Sequence, residues 1–422
     1  MHKGLKRIGL GLVAVGLSIV LLLTAALPVC EAGADKREIV VGFRTGFTGP
    51  LADALAPFCI GGLDYVKWCN DHGGINGIPV KAMWEDNHSE VVKEISSHKR
   101  FVAAGAVVEI SYASGSASAT WPLQRRDEIP LFSNEIDEGM RTEPHWVVGS
   151  VSSWQCHHAT IIKWVKENWT EGRPPRCGFV GINQPISYTA IEGIPEFCDR
   201  IGVEWVGYDI VPLFGCIDTS TELLRLAAKK PDWVYVVCYA ATLVTVIKDV
   251  HRLELQQKGI KFCSTPQSTD RIVINTAGAA ATEGWYTVRA AASPWEDEYL
   301  GGIKCPRMAE VREAAKKYRG WEPEEITEWY PCGWFVQIII HEAIRMALEK
   351  VGIENLTGRA VRDAIFSIKD FDTGLLPFPV TISEERPYMV DYFLIYLVQQ
   401  GKAVPAVAPF PVVLPAELGV RL

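Results

Sequence analysis

Four places in the 422-residue chain carry side chains that could hold a small ligand. Residues 111–118, SYASGSAS, follow the apolar run that ends at Ile110. Small hydroxyl residues opening a helix present hydroxyls and free N–H groups, which suits a carboxylate or another anion. Taken alone, the same run is better explained by serine N-capping. Residues 133–139, SNEIDEG, bring Glu135, Asp137 and Glu138 together. Clustered carboxylates could receive an ammonium or amide group, and a solvated loop is the alternative. Farther along, Tyr188 follows one apolar run, Tyr239 ends a second and Gln267 lies just past a third. Aromatic bodies with polar tips suit a small-molecule cradle, although a single tyrosine more often belongs to a core.

Signatures of catalysis and of metal binding are scarce. The chain has no Gly-x-Ser-x-Gly elbow, Walker-type loop, strand-following Gly-x-Gly-x-x-Gly or His-Glu-x-x-His. Eleven cysteines include no Cys-x-x-Cys pair. The run WQCHH, Trp154–His158, sets three potential ligands side by side. Neighbours on a helix point about 100° apart and do not converge on one ion. A helix start with partly buried Cys and His is the favoured reading of that run. The acidic cluster lacks the ordered acids and glycine of a calcium loop. No metal or cofactor is therefore expected. The sequons at Asn87, Asn168 and Asn355 are attributed to chance.

The elements that would position these groups follow from periodicity. REIVVGFRTG (Arg37–Gly46) reads as a strand. In the next segment Leu55, Phe58, Cys59, Leu63, Val66 and Cys69 recur at three- and four-residue steps, a helix with one buried face. Gly73 and Gly74 provide the C-cap and a tight exit, Pro79 blocks helix restart, and VKAMWED is a second strand. The alternation continues through FVAAGAVVEI as strand, SGSASATWPLQRRD as helix and IPLFSNE as strand. A second series begins after VSSWQ, with strands CGFVGIN, VEWVGYDIV, DWVYVVCY and IKFCSTP. Alternating strands and helices imply a parallel, helix-covered sheet, with ligands at the carboxyl ends of its strands. Two series imply two lobes. A long helical region follows, and a strand pair, FPVTIS with YFLIYLVQQGKAV, closes the chain. The Pro-rich tail from 401 to 422 is expected to lie extended on the surface.

Composition sets the class. An apolar fraction of 48% supports globular cores, and 422 residues suffice for two domains. The formal charge is 42 − 50 = −8, which argues against nucleic acid as a partner. Lys3, Lys6 and Arg7, the charge-free run Ile8–Val29 and the small residues Ala32–Ala34 form the three parts of a secretory signal peptide, residues 1–34. Cleavage after Ala34 leaves 39 − 49 = −10. An uncleaved anchor is the main competitor, and a lipid-modified Cys30 is a third reading. Export permits disulfides among the remaining cysteines.

Residues 39–86, from IVVGFRTGFTGP to GGINGIPVKAMWED, resemble the amino-terminal signature of periplasmic solute-binding proteins of the branched-chain amino acid type. That signature is an apolar strand, a Gly-Pro loop, a helix ending in Asn-x-x-Gly-Gly-Ile-x-Gly, and a strand ending in acids. DEIPLFS, CGFVGINQPISYTAIEGIPEFCDRIGVEWV, KKPDWVYVVCYAATLVTVIKDVHRLELQQKGIK and GAAATEGW are similar in order and spacing over nearly the whole mature chain. The resemblance implies an α/β protein of the type I periplasmic binding fold, with two Rossmann-like lobes joined by three crossovers. The lobes are expected at 38–152 with 290–370, and 153–289 with 371–400. The implied function is that of an extracytoplasmic, non-catalytic component delivering a small polar solute to the inner-membrane permease of an ABC importer. A sensor ectodomain anchored by the N-terminal segment is the alternative, and a hydrolase is disfavoured by the missing motifs. Ser114 falls where the family places a serine on the ligand carboxylate, with Tyr112 on the same wall. Glu135 and Asp137 fall where relatives carry small residues and a threonine near the ligand amino group. Tyr239 matches a ligand-facing tyrosine, and Gln267 stands where amino-acid binders carry a glutamate. The acid has thus moved between lobes, which leaves amino acid, amide and small carboxylate as solute classes.

Overall fold

The computed structural model describes residues 38–419 apart from 50, 51, 89, 113, 135–139, 141, 142 and 214. Residues 1–37, which hold the expected signal peptide and Cys30, lie outside the described residues, as do Glu135 and Asp137. Among the described residues no helix is long and apolar enough to cross a membrane.

Short apolar runs pair into two sheets. The first contains β1 (Ile39–Thr45), β2 (Val80–Asp86), β3 (Ala106–Ser111), β4 (Leu131–Ser133) and β5 (Val147–Gly149). Its order is β2-β1-β3-β4-β5, and every pair is parallel. The three last strands are buried throughout, as in a parallel sheet covered on both faces. The second sheet contains β6 (Arg176–Ile182), β7 (Glu204–Val211), β8 (Trp233–Val237), β9 (Lys261–Ser264) and β10 (Tyr286–Arg289). A small ribbon of β11 (Glu298–Tyr299) and β12 (Ile303–Lys304) precedes its last members, β13 (Tyr392–Gln399) and β14 (Lys402–Pro411). The order is β14-β13-β10-β9-β8-β6-β7, with β13 antiparallel to both neighbours. This is an α/β architecture of two lobes joined by three crossovers. The chain leaves the first sheet after β5, returns after β10 and leaves again before β13. The last passage comes later than the expected boundary near residue 370. Gly149 at the end of β5 still bridges Tyr388, donating to Pro387 O at 2.8 Å and accepting from Met389 N at 3.1 Å.

The Asn-x-x-Gly-Gly turn has a direct physical account. Asn70, near the end of helix Ala52–Asp71, reaches across with its amide. It donates to Val80 O and accepts from Val80 N, both at 2.8 Å, clamping the first residue of β2. Gly74, at φ +72°, leaves no room for a side chain, because a Cβ there would lie 2.2 Å from Ile78 O. The same helix meets helix Trp329–Val351 nearly backbone to backbone. A Cβ on Gly61 would come within 2.1 Å of Tyr330 O, and one on Gly333 within 2.0 Å of Phe58 O.

Three sequence expectations change. FVAAGAVVEI is not one strand: Phe101–Ala103 ends helix Val91–Ala103, which buries Glu94, Ser97, His98 and Phe101 at helical spacing. Gly105, at φ +78°, makes the turn into β3. FPVTIS is not a strand either, since Val380 makes only an isolated bridge to Phe371. The partner of β13 is β14, across a turn at Gln400 and Gly401, both at positive φ. The proline-rich tail is thus extended but hydrogen-bonded, as an edge strand, the place in a sheet where proline is tolerated. Finally, no disulfide joins the ten described cysteines.

Candidate functional site

A narrow slot lies where the first two crossovers pass between the lobes. Ser150, Val151 and Trp154 line it from the first crossover; Arg289, Ala290 and Ala291 line it from the second. The first lobe adds Phe58 from helix Ala52–Asp71, Tyr112 just past β3, and Asn134 just past β4. Helix Trp329–Val351 adds Trp329, Cys332 and Phe335, with Glu328 at its N-cap. The glycine contacts between the two long helices bring Phe58 and Trp329 onto one wall. There Phe58 and Tyr112 stack with centroids 3.8 Å apart, and Trp329 stands edge-on to Tyr112 at 5.7 Å.

The hinge side is polar and internally neutralised. Arg289 and Glu328, 3% and 5% exposed, pair at 3.0 Å. The guanidinium also donates to Thr269 Oγ1 at 2.9 Å and Ser293 Oγ at 2.6 Å, and lies 4.4 Å from the Tyr396 ring centroid. Two further acids approach this cluster. Burial, reinforced by the neighbouring Glu328 carboxylate, holds Asp270 well above the ordinary carboxyl range. Burial also raises Glu296, which accepts a 2.5 Å hydrogen bond from Tyr396 Oη. One guanidinium shared among three buried acids does not offset the burial that raises two of them. His157, on helix Trp154–Glu167, closes the slot beside Trp154 and Phe393, with centroids 4.8 and 4.2 Å away. Burial pushes its pKa down to about 3.

Of the residues singled out in sequence, Tyr112 lines the slot. Ser114 opens helix Ser114–Asp127 two residues later, and Gln267 lies in the short turn Pro266–Thr269, whose Pro266 lines the slot. Glu135 directly follows the lining residue Asn134, and Asp137 comes two residues after that. Tyr188 and Tyr239 are not in the lining. Tyr188 is 46% exposed and donates to Asn183 Oδ1 at 3.1 Å, while Tyr239 is the N-cap residue of helix Ala240–Arg252. Sequence reasoning missed Trp154, His157, Arg289, Glu328 and Trp329. The available signal was an arginine ending the apolar run WYTVR, together with aromatics clustered just past a run of turn residues.

The profile of the family described as periplasmic binding protein matches residues 38–402. No curated protein matches the chain by sequence. Among solved structures, a branched-chain amino acid ABC transporter protein from Thermus thermophilus with bound valine is 20% identical. It superposes with TM-score 0.77 over 90% of this chain and 98% of its own. A fatty acid ABC transporter substrate-binding protein from Thermomonospora curvata is 16% identical, with TM-score 0.73 over 90% and 94%. The branched-chain amino acid transporter substrate-binding protein of Streptococcus pneumoniae, in complex with isoleucine, is 15% identical, with TM-score 0.71 over 88% and 100%. With two helix-covered sheets, three crossovers and a slot between the lobes, the chain belongs to the periplasmic binding protein family, a family of solute-binding proteins rather than enzymes.

Proposed function

We propose that the protein is the extracytoplasmic solute-binding component of an ABC importer, and that its solute is a small amino acid, amide or carboxylate held in the slot between the lobes. The observation that carries this reading is the slot itself, whose aromatic wall comes from one lobe and whose opposite side comes from the crossovers. Closure of the lobes would complete the site and present the closed form to the permease. In this reading Tyr112 and Ser114 form the first-lobe wall, Glu135 and Asp137 extend it, and Gln267, Tyr188 and Tyr239 bring the second lobe's polar edge. The segment before Glu38 would direct export, with cleavage after Ala34.

The test is mass spectrometry of the solute released from purified protein, followed by calorimetry with that solute. Ser114→Ala and Asp137→Asn are expected to weaken binding about three-fold where the ligand group is neutral, and up to about a hundred-fold where it is charged. Wild-type affinity in both variants would remove the site assignment while leaving the family in place.

A further inference from the structure

Among the described residues, the groups that the slot leaves for a ligand are neutral. Its two charged lining residues among those described, Arg289 and Glu328, pair with each other, and the guanidinium is further engaged by Thr269 and Ser293. His157 is different. It is 3% exposed, and neither ring nitrogen has a hydrogen-bond partner. Nε1 of the adjacent Trp154 is also buried without a partner. A ring pushed by burial to about 3 carries one N–H and one lone pair at neutral pH. An unmade hydrogen bond on a buried polar atom costs free energy, and a ligand supplying it recovers that cost. A charged ligand group brought against these atoms would lose its hydration without meeting a counter-charge among the described residues. The opposite wall, Phe58 stacked on Tyr112 with Trp329 edge-on, offers ring faces and edges to a flat body.

We propose that the slot selects an uncharged, planar, ring-bearing solute, an aromatic or heteroaromatic amide in its simplest form, which lies against the Phe58–Tyr112–Trp329 wall and exchanges a hydrogen bond with His157. This rests on the reading of the slot as the solute site and names one of its solute classes. His157 acts as the specificity determinant: it donates to or accepts from the amide, while the Arg289–Glu328 pair holds the hinge and leaves no free charge there for a carboxylate.

The experiment is isothermal titration calorimetry of the mature protein at pH 7.5 with benzamide, nicotinamide, benzoate, nicotinate and L-phenylalanine. The two amides are expected to bind at least about ten-fold more tightly than the matched acids and the zwitterion, the effect of one unpaired charge or lost hydrogen bond. His157→Phe keeps a flat ring but removes both nitrogens, and is expected to weaken amide binding about ten-fold. His157→Gln restores a donor and an acceptor and is expected to recover most of that loss. Thermal melts of both variants check that the fold is kept. Tighter binding of an acid or of phenylalanine, or amide affinity unchanged in His157→Phe, overturns the proposal. So does the absence of binding by all five probes. Mass spectrometry of solute released from the purified protein then separates the two claims. A charged or ring-free solute leaves the solute-binding reading standing, whereas no solute and no binding removes both.

Discussion

His158, next to the slot residue His157, shows what burial does to a single titratable group. Its ring is packed among Phe179, Trp205 and Tyr235, Nδ1–H donates to Ala190 O at 3.0 Å, and Nε2 has no partner. Burial lowers its pKa from 6.5 to about 4. The unfolded chain therefore takes up a proton that the folded chain refuses. The stability held by the neutral ring is complete above pH 6.5 and drains away as pH falls towards 4. At pH 5 the loss is about 2 kcal/mol. His158→Phe is expected to be less stable than wild type at pH 7.5, through the lost hydrogen bond, but to lose about 2 kcal/mol less on moving to pH 5. Urea melts at both pH values read the difference, and parallel losses in the two proteins would refute it. The same residues mark the limit of sequence reading. A polar run such as WQCHH excludes a metal by its geometry, yet nothing local tells that His157 faces a slot and His158 a core. That distinction is made by Phe393 and Tyr235, far along the chain. Tyr112 was legible because a strand end is a local feature. Arg289 and Glu328 were not, because their pairing joins elements 39 residues apart.

At the scale of elements, glycines divide into those that turn the chain and those that let helices touch. Gly74 combines φ +72° with a blocked Cβ position and is not among the residues lining the slot. Gly74→Val is expected to cost at least about 2 kcal/mol of stability while leaving solute affinity intact. Gly333 is blocked by Phe58 O, and Phe58, Cys332 and Phe335 line the slot. Gly333→Val is expected to lower both stability and affinity, because separating the helices moves one wall of the site. Denaturant melts with calorimetry on the same samples decide between the two behaviours, and unchanged affinity in Gly333→Val would detach helix packing from the site. The strands and the Asn-x-x-Gly-Gly turn were readable because their causes lie within a few residues. Asn70 and Gly74 act on β2 at once. The short strands β5 and β10, of three and four residues, escaped notice since so short a run forms a strand only when a sheet already offers the partners. The boundary between Phe101 and Ala106 was blurred for a related reason: the helix end Phe101–Ala103 and the strand start at Ala106 are equally apolar in sequence.

On the scale of the whole molecule, the two sheets hold their cores without covalent help. The ten described cysteines are free, and burial pushes Cys59, Cys198 and Cys332 up to about 12. Such thiols carry almost no thiolate and react slowly. Native protein at pH 8 is expected to take up iodoacetamide slowly, and only at the less buried Cys69 and Cys216, with full labelling after denaturation. Its melting temperature is expected not to change with dithiothreitol. A fall in melting temperature on reduction would show that a disulfide supports the fold. The last strand bears on a different property. Three of the ten residues of β14 are prolines, at 405, 409 and 411, and this strand forms one margin of the seven-stranded sheet. A proline brings no N–H, so a second chain laid along that margin would find its ladder of hydrogen bonds repeatedly broken. The closing segment thereby acts as a built-in terminator of sheet growth. It keeps that margin from zipping edge to edge with another chain into a fibre.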